Sequence, residues 1–235
     1  MVSSSQDRDA LATPPSVANR WPTLFVVCLG VMMAFINASS TIGALASIQD
    51  DLHVPGSTLV WVTSSFTLAL VSLVMSAGTF GELYGRRLTY FVGVVLLTVG
   101  SGTAFAADGA GVLITGQAVM GLGAAAVLPA SLAIVSTTFH DPGERTGAIS
   151  LWASCAGLGL AIGPLAAGLL LAHFSWHSVY LTNVVLGVLA IVLTPLVVRE
   201  SRHPSRRLDP LGVVLGTITV GAATYAIIEG GASGY

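Results

Sequence analysis

The sequence contains no lysine, few charged residues of any kind and only two cysteines. Charged residues make up 9% of its 235 residues, whereas hydrophobic residues make up 54%. A soluble domain carries roughly a quarter charged residues, so this chain could not cover a water-exposed surface with polar groups. Cys28 and Cys155 each lie within an apolar run, where we expect small packing groups and not a disulfide or a metal site. The composition predicts a polytopic membrane protein.

The sequence motifs of common catalytic and nucleotide-binding sites are also absent. The chain has no His-Glu-x-x-His, no Gly-x-Ser-x-Gly and no Walker loop, so it lacks the usual groups for hydrolysis or phosphate binding. His173 and His177 stand four apart beside Trp176, where polar loop residues are a better interpretation than a metal pair. We therefore expect no enzymatic activity, no cofactor, no metal ion and no nucleic-acid partner.

Apolar runs are abundant, and most are about long enough to cross a bilayer as helices. They cover residues 21–45, 59–79, 88–107, 111–139, 146–171 and 179–198, and a weaker seventh run covers residues 211–228. Ala44-Leu45-Ala46 resembles a signal-peptidase site. However, the apolar stretch before it is longer than a signal core and further runs follow, which favours an uncleaved first helix.

These runs predict an all-α fold, a polytopic membrane helix bundle with six helices followed by a seventh. The predicted parts are a disordered cytoplasmic tail (1–20), a six-helix transmembrane bundle (21–198), a cytoplasmic linker (199–210) and a seventh transmembrane helix (211–235). Loops are expected at residues 49–57 and 140–145, where charged residues and proline interrupt the apolar pattern. An odd number of crossings leaves the C-terminus outside, which suits the first half of a longer protein.

The arginines are distributed unevenly on this map of crossings. With alternate loops on opposite sides, all nine fall on one side: Arg8, Arg20, Arg86, Arg87, Arg145, Arg199, Arg202, Arg206 and Arg207. The positive-inside rule then places the N-terminus in the cytoplasm. We expect a multi-pass protein of the plasma membrane. A seven-helix receptor would have its N-terminus outside. A retinal protein would need a lysine for its Schiff base, and the chain has none.

Residues 78–87 form a short, glycine-rich and charged segment between the second and third runs. Gly78, Gly81 and Gly85 lack a Cβ, so they permit close approach of backbones and unusual dihedral angles. We expect a polar loop here that forces its flanking helices into a closely packed antiparallel hairpin. Glu82 and Arg86 stand four apart and could pair on one helix face.

A few polar side chains inside the apolar runs are candidates for lining a cavity. Asn37 and Thr41 lie at helical spacing in the first run, and Gln117 lies in the fourth. We group Phe66 of the second run with them. Hydrogen bonding between packed helices would equally account for the polar residues. No run carries a clear midplane carboxylate, histidine or arginine, although proton-driven transport normally needs a titratable group within the membrane.

The fifth run contains a glycine pattern that predicts a helix–helix contact. Gly159, Gly163 and Ala167 fall four apart, which makes a smooth face for a neighbouring helix. Pro164 removes a backbone donor and bends the helix near its middle. Packing alone could explain this face, and a kinked, glycine-rich helix also suits a moving interface.

Together these segments resemble the drug:proton antiporters of the major facilitator superfamily, in particular the N-terminal half of the fourteen-helix branch. Residues 78–87 are similar to the signature between helices two and three, with Glu82 in place of the usual aspartate and Leu83 in place of a basic residue. Further matches lie in the first, fourth and fifth helices: Ala44, Leu45, Ile48, Gly121, Gly123, Pro129, Ala130, Ser131, Gly159, Gly163, Pro164 and Gly168. Asn37 stands where the branch has an acidic residue, and Gln117 where it has an arginine.

The resemblance implies a two-bundle transporter that exports small hydrophobic or amphiphilic compounds by proton-coupled alternating access. It implies membrane lipids and a small hydrophobic substrate as partners, and a cavity lined by helices one, two, four and five. It also implies that Gly78, Gly81, Glu82, Gly85, Arg86 and Arg87 act as a cytoplasmic latch between states. Two alternatives remain open. One is a facilitator or importer of a small solute; the other is a truncated half-transporter, inactive without its missing half or a second copy.

Overall fold

The computed structural model describes residues 20–201 and 210–233, and seven α-helices account for most of them. The helices are α1 (Arg20–Leu52), α2 (Gly56–Tyr84), α3 (Arg86–Phe105), α4 (Ala110–Thr138), α5 (Pro142–Leu171), α6 (His177–Val197) and α7 (Pro210–Ser233). The described residues include no strand. Helices α1 to α6 are each long and apolar enough to cross a membrane. The predicted all-α membrane bundle is therefore confirmed.

Helices α1 and α4 form the centre of the bundle. α1 packs mainly on α5 and α6, α4 packs mainly on α2 and α3, and the two central helices also contact each other. In the most apolar stretch of α1, 67% of the residues are buried, against 17% in the corresponding stretch of α2. The outer helices thus present apolar surface outward, as helices do where lipid and not water surrounds them.

The predicted loops at 49–57 and 140–145 are too long. α1 continues to Leu52, and the chain turns only at His53, whose φ is +53°, and at Pro55. α5 already begins at Pro142, where the Asp141 side chain accepts a hydrogen bond from the Glu144 backbone N–H (3.0 Å). Such an N-cap, followed by proline at the first helical position, starts a helix in water. The end of an apolar run marks the membrane surface and not the end of the helix.

The predicted polar loop at residues 78–87 is wrong in its extent. α2 continues to Tyr84 and α3 begins at Arg86, so Gly85 alone breaks the helical backbone, with φ +119° and ψ 137°. The expected close packing of α2 against α3 is also wrong. The two helices approach near the turn, where Gly81 faces Thr89, but each packs mainly on α4. An apolar groove of about 550 Å³ lies between them over α4.

The two ends of the bundle differ in charge. The described arginines lie at one end: Arg20, Arg86, Arg87, Arg145 and Arg199. At this end Arg20 forms an ion pair with Glu144 (N–O distance 3.0 Å), which joins the starts of α1 and α5. At the opposite end the Trp176 indole N–H donates to an Asp51 carboxylate oxygen (2.8 Å), which joins the end of α1 to the turn before α6.

The remaining predicted parts lie largely outside the described residues. Of the predicted tail, residues 1–19 are not described, and Arg20 already belongs to α1. Of the predicted linker, residues 202–209 are not described. The predicted seventh helix corresponds to α7, which packs on α2. Its Tyr225 ring lies 5.5 Å from the ring of Trp61, measured between ring centroids.

Candidate functional site

The four predicted cavity residues line a single cavity of about 160 Å³ between α1, α2 and α4. Asn37 and Thr41 come from α1, Phe66 from α2 and Gln117 from α4. The other lining residues are Ala38, Ile42, Thr63 and Thr67. The structure therefore brings together all four residues that the sequence singled out. Their role in binding remains a prediction.

A buried hydrogen-bond network crosses this region and joins three helices. The Asn37 amide N–H donates to the Gln117 carbonyl oxygen at 3.0 Å. The Gln117 amide group donates in turn to the hydroxyls of Thr41 (2.8 Å) and Tyr180 (3.2 Å). Asn37 and Gln117 are each 1% exposed. Since carboxamides are costly to bury unpaired, this network lets both lie in the middle of the bundle.

Tyr180 on α6 was missed by the sequence analysis, although a signal was present. A tyrosine hydroxyl in an apolar run needs a polar partner when the ring is buried. The side chain of Tyr180 is fully buried, and its hydroxyl lies 3.5 Å from that of Thr41. The residue extends the polar network to α6.

Gly121 explains how Phe66 reaches the cavity wall. It lies one helical turn beyond Gln117 on α4, and a Cβ added to it would collide with the Phe66 carbonyl oxygen and lie 2.8 Å from the Ala69 side chain. The missing side chain therefore permits the close approach of α2 and α4. That approach carries the backbone of Phe66 onto the helix that bears Gln117.

Two buried amides retain unused hydrogen-bonding capacity within the described part of the chain. The Asn37 carbonyl oxygen has no hydrogen-bond partner, and neither polar atom of the Asn183 side chain has one. Asn183 lies on α6 between Tyr180 and Gly187, and the latter packs against Thr98 of α3 and Met33 of α1. The sequence analysis did not identify Asn183. Such orphaned groups are rare in buried positions.

The cavity is uncharged. None of its eight lining side chains is ionised at neutral pH, since they are amides, hydroxyls and apolar groups. It also contains no pairing of a nucleophile with a base. The arrangement can surround an uncharged molecule and hydrogen-bond to it.

The predicted latch residues divide between two neighbouring environments. Gly78, Gly81, Glu82 and Arg86 line a second cavity, of about 280 Å³, together with residues of α4. Here an Arg86 guanidinium N–H donates to the Ala133 carbonyl oxygen at 3.2 Å. The start of α3 is thereby fastened to the last turns of α4.

Gly85 and Arg87 face the segment that follows α6. A carboxylate oxygen of Glu200 accepts the backbone N–H groups of Arg87 (3.2 Å) and Ser201 (3.1 Å). The Arg86 N–H also donates to the Ser201 carbonyl oxygen at 3.2 Å. A negative charge at a helix N-terminus is favourable, so Glu200 stabilises the start of α3. The sequence analysis did not identify Glu200.

The glycine pattern of α5 lies largely against α1. A Cβ on Gly159 would sit 3.0 Å from the Met32 carbonyl oxygen, and one on Gly163 would sit 2.9 Å from the Ser40 backbone nitrogen. Pro164 lies beside Gly43 of the same helix pair. Gly168 differs, because an added Cβ would meet no atom within 4 Å. The predicted face is therefore a contact inside the bundle.

Comparison with known proteins identifies the family. The model of the Major Facilitator Superfamily matches residues 27–228. The chain belongs to the Major Facilitator Superfamily. Its members are membrane transporters and not enzymes as a class, and the predicted family is confirmed.

Several curated members of the superfamily are similar to the chain over most of its length. It is 40% identical over 209 residues to the multidrug resistance protein Stp of Mycobacterium tuberculosis, covering 88% of this chain and 39% of that protein. It is 32% identical over 217 residues to the multidrug efflux pump LfrA of Mycolicibacterium smegmatis, covering 92% and 43%. It is 30% identical over 217 residues to the tetracenomycin C resistance and export protein of Streptomyces glaucescens, covering 92% and 40%.

The chain thus spans less than half the length of these curated relatives. The chain also matches about half of a solved transporter structure. The peptide transporter POT, crystallised with sulfate, superimposes with a TM-score of 0.69 over 96% of this chain and 49% of that chain, at 16% identity. At this identity the likeness concerns the fold alone.

Proposed function

We propose that the chain forms the N-terminal bundle of a plasma-membrane exporter of small hydrophobic or amphiphilic compounds. The observation that carries this proposal is the cavity. Asn37, Thr41, Phe66 and Gln117 meet on three helices of one bundle, around a space with mixed apolar and hydrogen-bonding walls. Relatives at 30–40% identity are named for drug resistance, efflux or export, which favours export over import.

Transport in this proposal proceeds by alternating access between two bundles. The described bundle moves as a unit because close contacts connect neighbouring helices, such as that of Gly163 in α5 with α1 and that of Gly121 in α4 with α2. The second bundle comes from further polypeptide of the same protein or from a second copy. The segment Gly78–Arg87 acts as the latch, since Arg86 and Arg87 connect the start of α3 to α4 and to the segment after α6.

The arginine-rich end of the bundle faces the cytoplasm in this proposal, together with the N-terminus. Protons drive export, as the resemblance implies. Proton coupling requires an ionisable group within the membrane, and the residues that line the described cavity include none. We therefore assign the coupling group to the second bundle.

The proposal is tested by expressing the protein from its intact gene in a bacterium that lacks its own drug pumps. Accumulation of a panel of lipophilic fluorescent compounds, both uncharged and cationic, is measured with and without a proton ionophore. We expect at least one compound to accumulate several-fold less in expressing cells, and the ionophore to remove the difference. Equal accumulation of every compound in expressing and control cells would contradict export. Export that persists with the ionophore would contradict proton coupling but not export itself.

A further inference from the structure

The hydroxyl group of Tyr90 on α3 forms two hydrogen bonds with the backbone of α1. It donates to the Val26 carbonyl oxygen at 2.6 Å and accepts the Gly30 backbone N–H at 3.2 Å. Val26 and Gly30 stand four apart, so they are the carbonyl and amide partners of one step in the hydrogen-bond pattern of an α-helix. A single side chain of α3 therefore holds both partners of one step in α1.

The backbone at Gly30 leaves room for this hydroxyl. A Cβ added to Gly30 would lie 2.6 Å from the Tyr90 hydroxyl oxygen, so a side chain there would displace the hydroxyl. Tyr90 is fully buried and Val26 is 1% exposed, so bulk water does not reach either hydrogen bond. A shift of α3 along or around α1 would break both bonds and leave buried polar groups unpaired, which is costly. The second turn of α3 and α1 are therefore held in one register.

This contact lies between the predicted latch and the predicted cavity. Tyr90 is one helical turn beyond Arg86, whose side chain is bonded to α4. The carboxylate of Glu200 accepts a backbone N–H from the same first turn of α3. On the other helix, Gly30 lies two turns before Asn37, which lines the cavity and is bonded to α4. Tyr90 thus joins the start of α3 to the helix that carries Asn37.

We propose that Tyr90 is a positioning residue that couples the start of α3 to the cavity wall on α1. A change in the contact between Glu200 and α3 displaces the start of α3, and the two bonds of Tyr90 carry α1 with it. Asn37 and Thr41 then change their position relative to α2 and α4. The inference deepens the proposed latch and rests on the proposed function, because it takes the cavity as the site that the latch controls.

The test measures the accessibility of one position in the cavity. The protein is expressed from its intact gene with all native cysteines replaced, and the purified protein is reconstituted in lipid nanodiscs. Ala38→Cys places a single thiol next to Asn37, at a half-buried residue that lines the cavity. The rate at which this thiol reacts with a methanethiosulfonate reagent reports the space between α1, α2 and α4.

Glu200→Ala removes the carboxylate that holds the start of α3, so it should change the reaction rate of the thiol at position 38 by at least about threefold. With Tyr90→Phe, which keeps the ring and removes the hydroxyl, the same change should be less than about 1.5-fold. A hydroxyl that serves stability alone would raise the unfolding temperature and leave the effect of Glu200→Ala independent of Tyr90. An equal effect of Glu200→Ala with and without Tyr90→Phe would overturn the proposal. No effect of Glu200→Ala in the otherwise native protein would overturn it as well.

Two further variants make the test specific. Tyr84→Phe removes the same group from an exposed tyrosine at the end of α2, and the effect of Glu200→Ala should persist there. Loss of the effect in Tyr84→Phe as well would overturn the particular role of Tyr90. Gly30→Ala tests the contact from α1, because its methyl group displaces the hydroxyl, and it should also reduce the effect below about 1.5-fold. It replaces Tyr90→Phe if that variant fails to fold.

The accessibility measurement separates this inference from the proposed export, since it requires no transported compound. If the coupling is found but no compound is exported from cells, the positioning role of Tyr90 stands and the exporter proposal falls. If compounds are exported but Glu200→Ala acts equally with and without Tyr90→Phe, the exporter proposal stands and the positioning role falls.

Discussion

Asn37 and Gln117 satisfy part of each other's hydrogen-bonding needs in a place without water. Both are carboxamides, so one can donate through nitrogen while the other accepts through oxygen. The 3.0 Å bond between them uses one group from each side chain. Because neither residue carries a charge at any physiological pH, the bond between them persists whatever the proton gradient.

A double-mutant cycle measures this bond. Asn37→Leu, Gln117→Leu and the combined variant should show a coupling free energy of about 0.5–2 kcal/mol, typical of hydrogen bonds between membrane helices. Unfolding in mixed detergent micelles provides the measurement. Thr115→Val serves as control, since Thr115 is exposed and bonds only within its own helix; it should not couple to either residue. Strict additivity of the two leucine changes would show that the bond contributes nothing.

The backbone conformation of Gly85 also has a measurable consequence at the scale of a single residue. Its φ of +119° is strained for any residue with a side chain, and an added Cβ would lie 2.5 Å from a Glu200 carboxylate oxygen. Gly85→Ala should therefore destabilise the protein by about 1–3 kcal/mol. Gly102→Ala is the matched control, because Gly102 lies within α3 with open space beside it. If both changes have the same effect on unfolding, the strain is not real.

At the scale of helices, the sequence predicts the existence of each element better than its ends. Apolar runs located all seven helices, because a segment that crosses lipid must satisfy its backbone groups as a helix. The ends were displaced because hydropathy reports the membrane surface. The 33 residues of α1 extend about 50 Å, well beyond a hydrocarbon layer of roughly 30 Å. Its last turn, with Asp50 and Asp51, lies in the polar region, where the helix continues unbroken.

The contact between α5 and α1 predicts different effects for alanine at two glycines of α5. Gly163→Ala should destabilise the bundle by about 1–3 kcal/mol, since its Cβ would collide with Ser39 and approach the α1 backbone near Ser40. Gly168→Ala, five residues along the same helix, meets no neighbour and should leave the unfolding free energy unchanged or slightly higher. Thermal unfolding of the two purified variants compares them directly. A larger loss for Gly168→Ala would contradict the described packing.

The candidate site could be predicted only in part. Asn37, Thr41 and Gln117 stand out in the sequence because polar groups within apolar runs must find partners. Tyr180 and Asn183 carry the same signal in the sixth run and were overlooked, whereas Glu200 carries none, since its importance depends on which distant helix it meets. Glu200 in particular reads as a loop residue in the sequence, and only the fold places it against the start of α3.

At the scale of the whole molecule, the charge difference between the two ends predicts the orientation in the cell. A cysteine at His140, in the exposed turn before α5, should react with a membrane-impermeant maleimide only after the membrane is permeabilised. A cysteine at Asp108, exposed at the other end, should react in intact cells. Both changes are made with Cys28→Ala and Cys155→Ala, which remove the native thiols. The reverse pattern of labelling would invert the proposed topology and the proposed direction of transport.

The single non-helical residue between α2 and α3 has a consequence for how this protein can vary. Each residue added to a helix rotates the rest of that helix by about 100° and advances it by about 1.5 Å. With Gly85 as the sole joint, an insertion or deletion in residues 78–87 would turn α3 away from α4 and α6, or move it along them. Related proteins should therefore differ here in the identity of their residues while keeping their number constant.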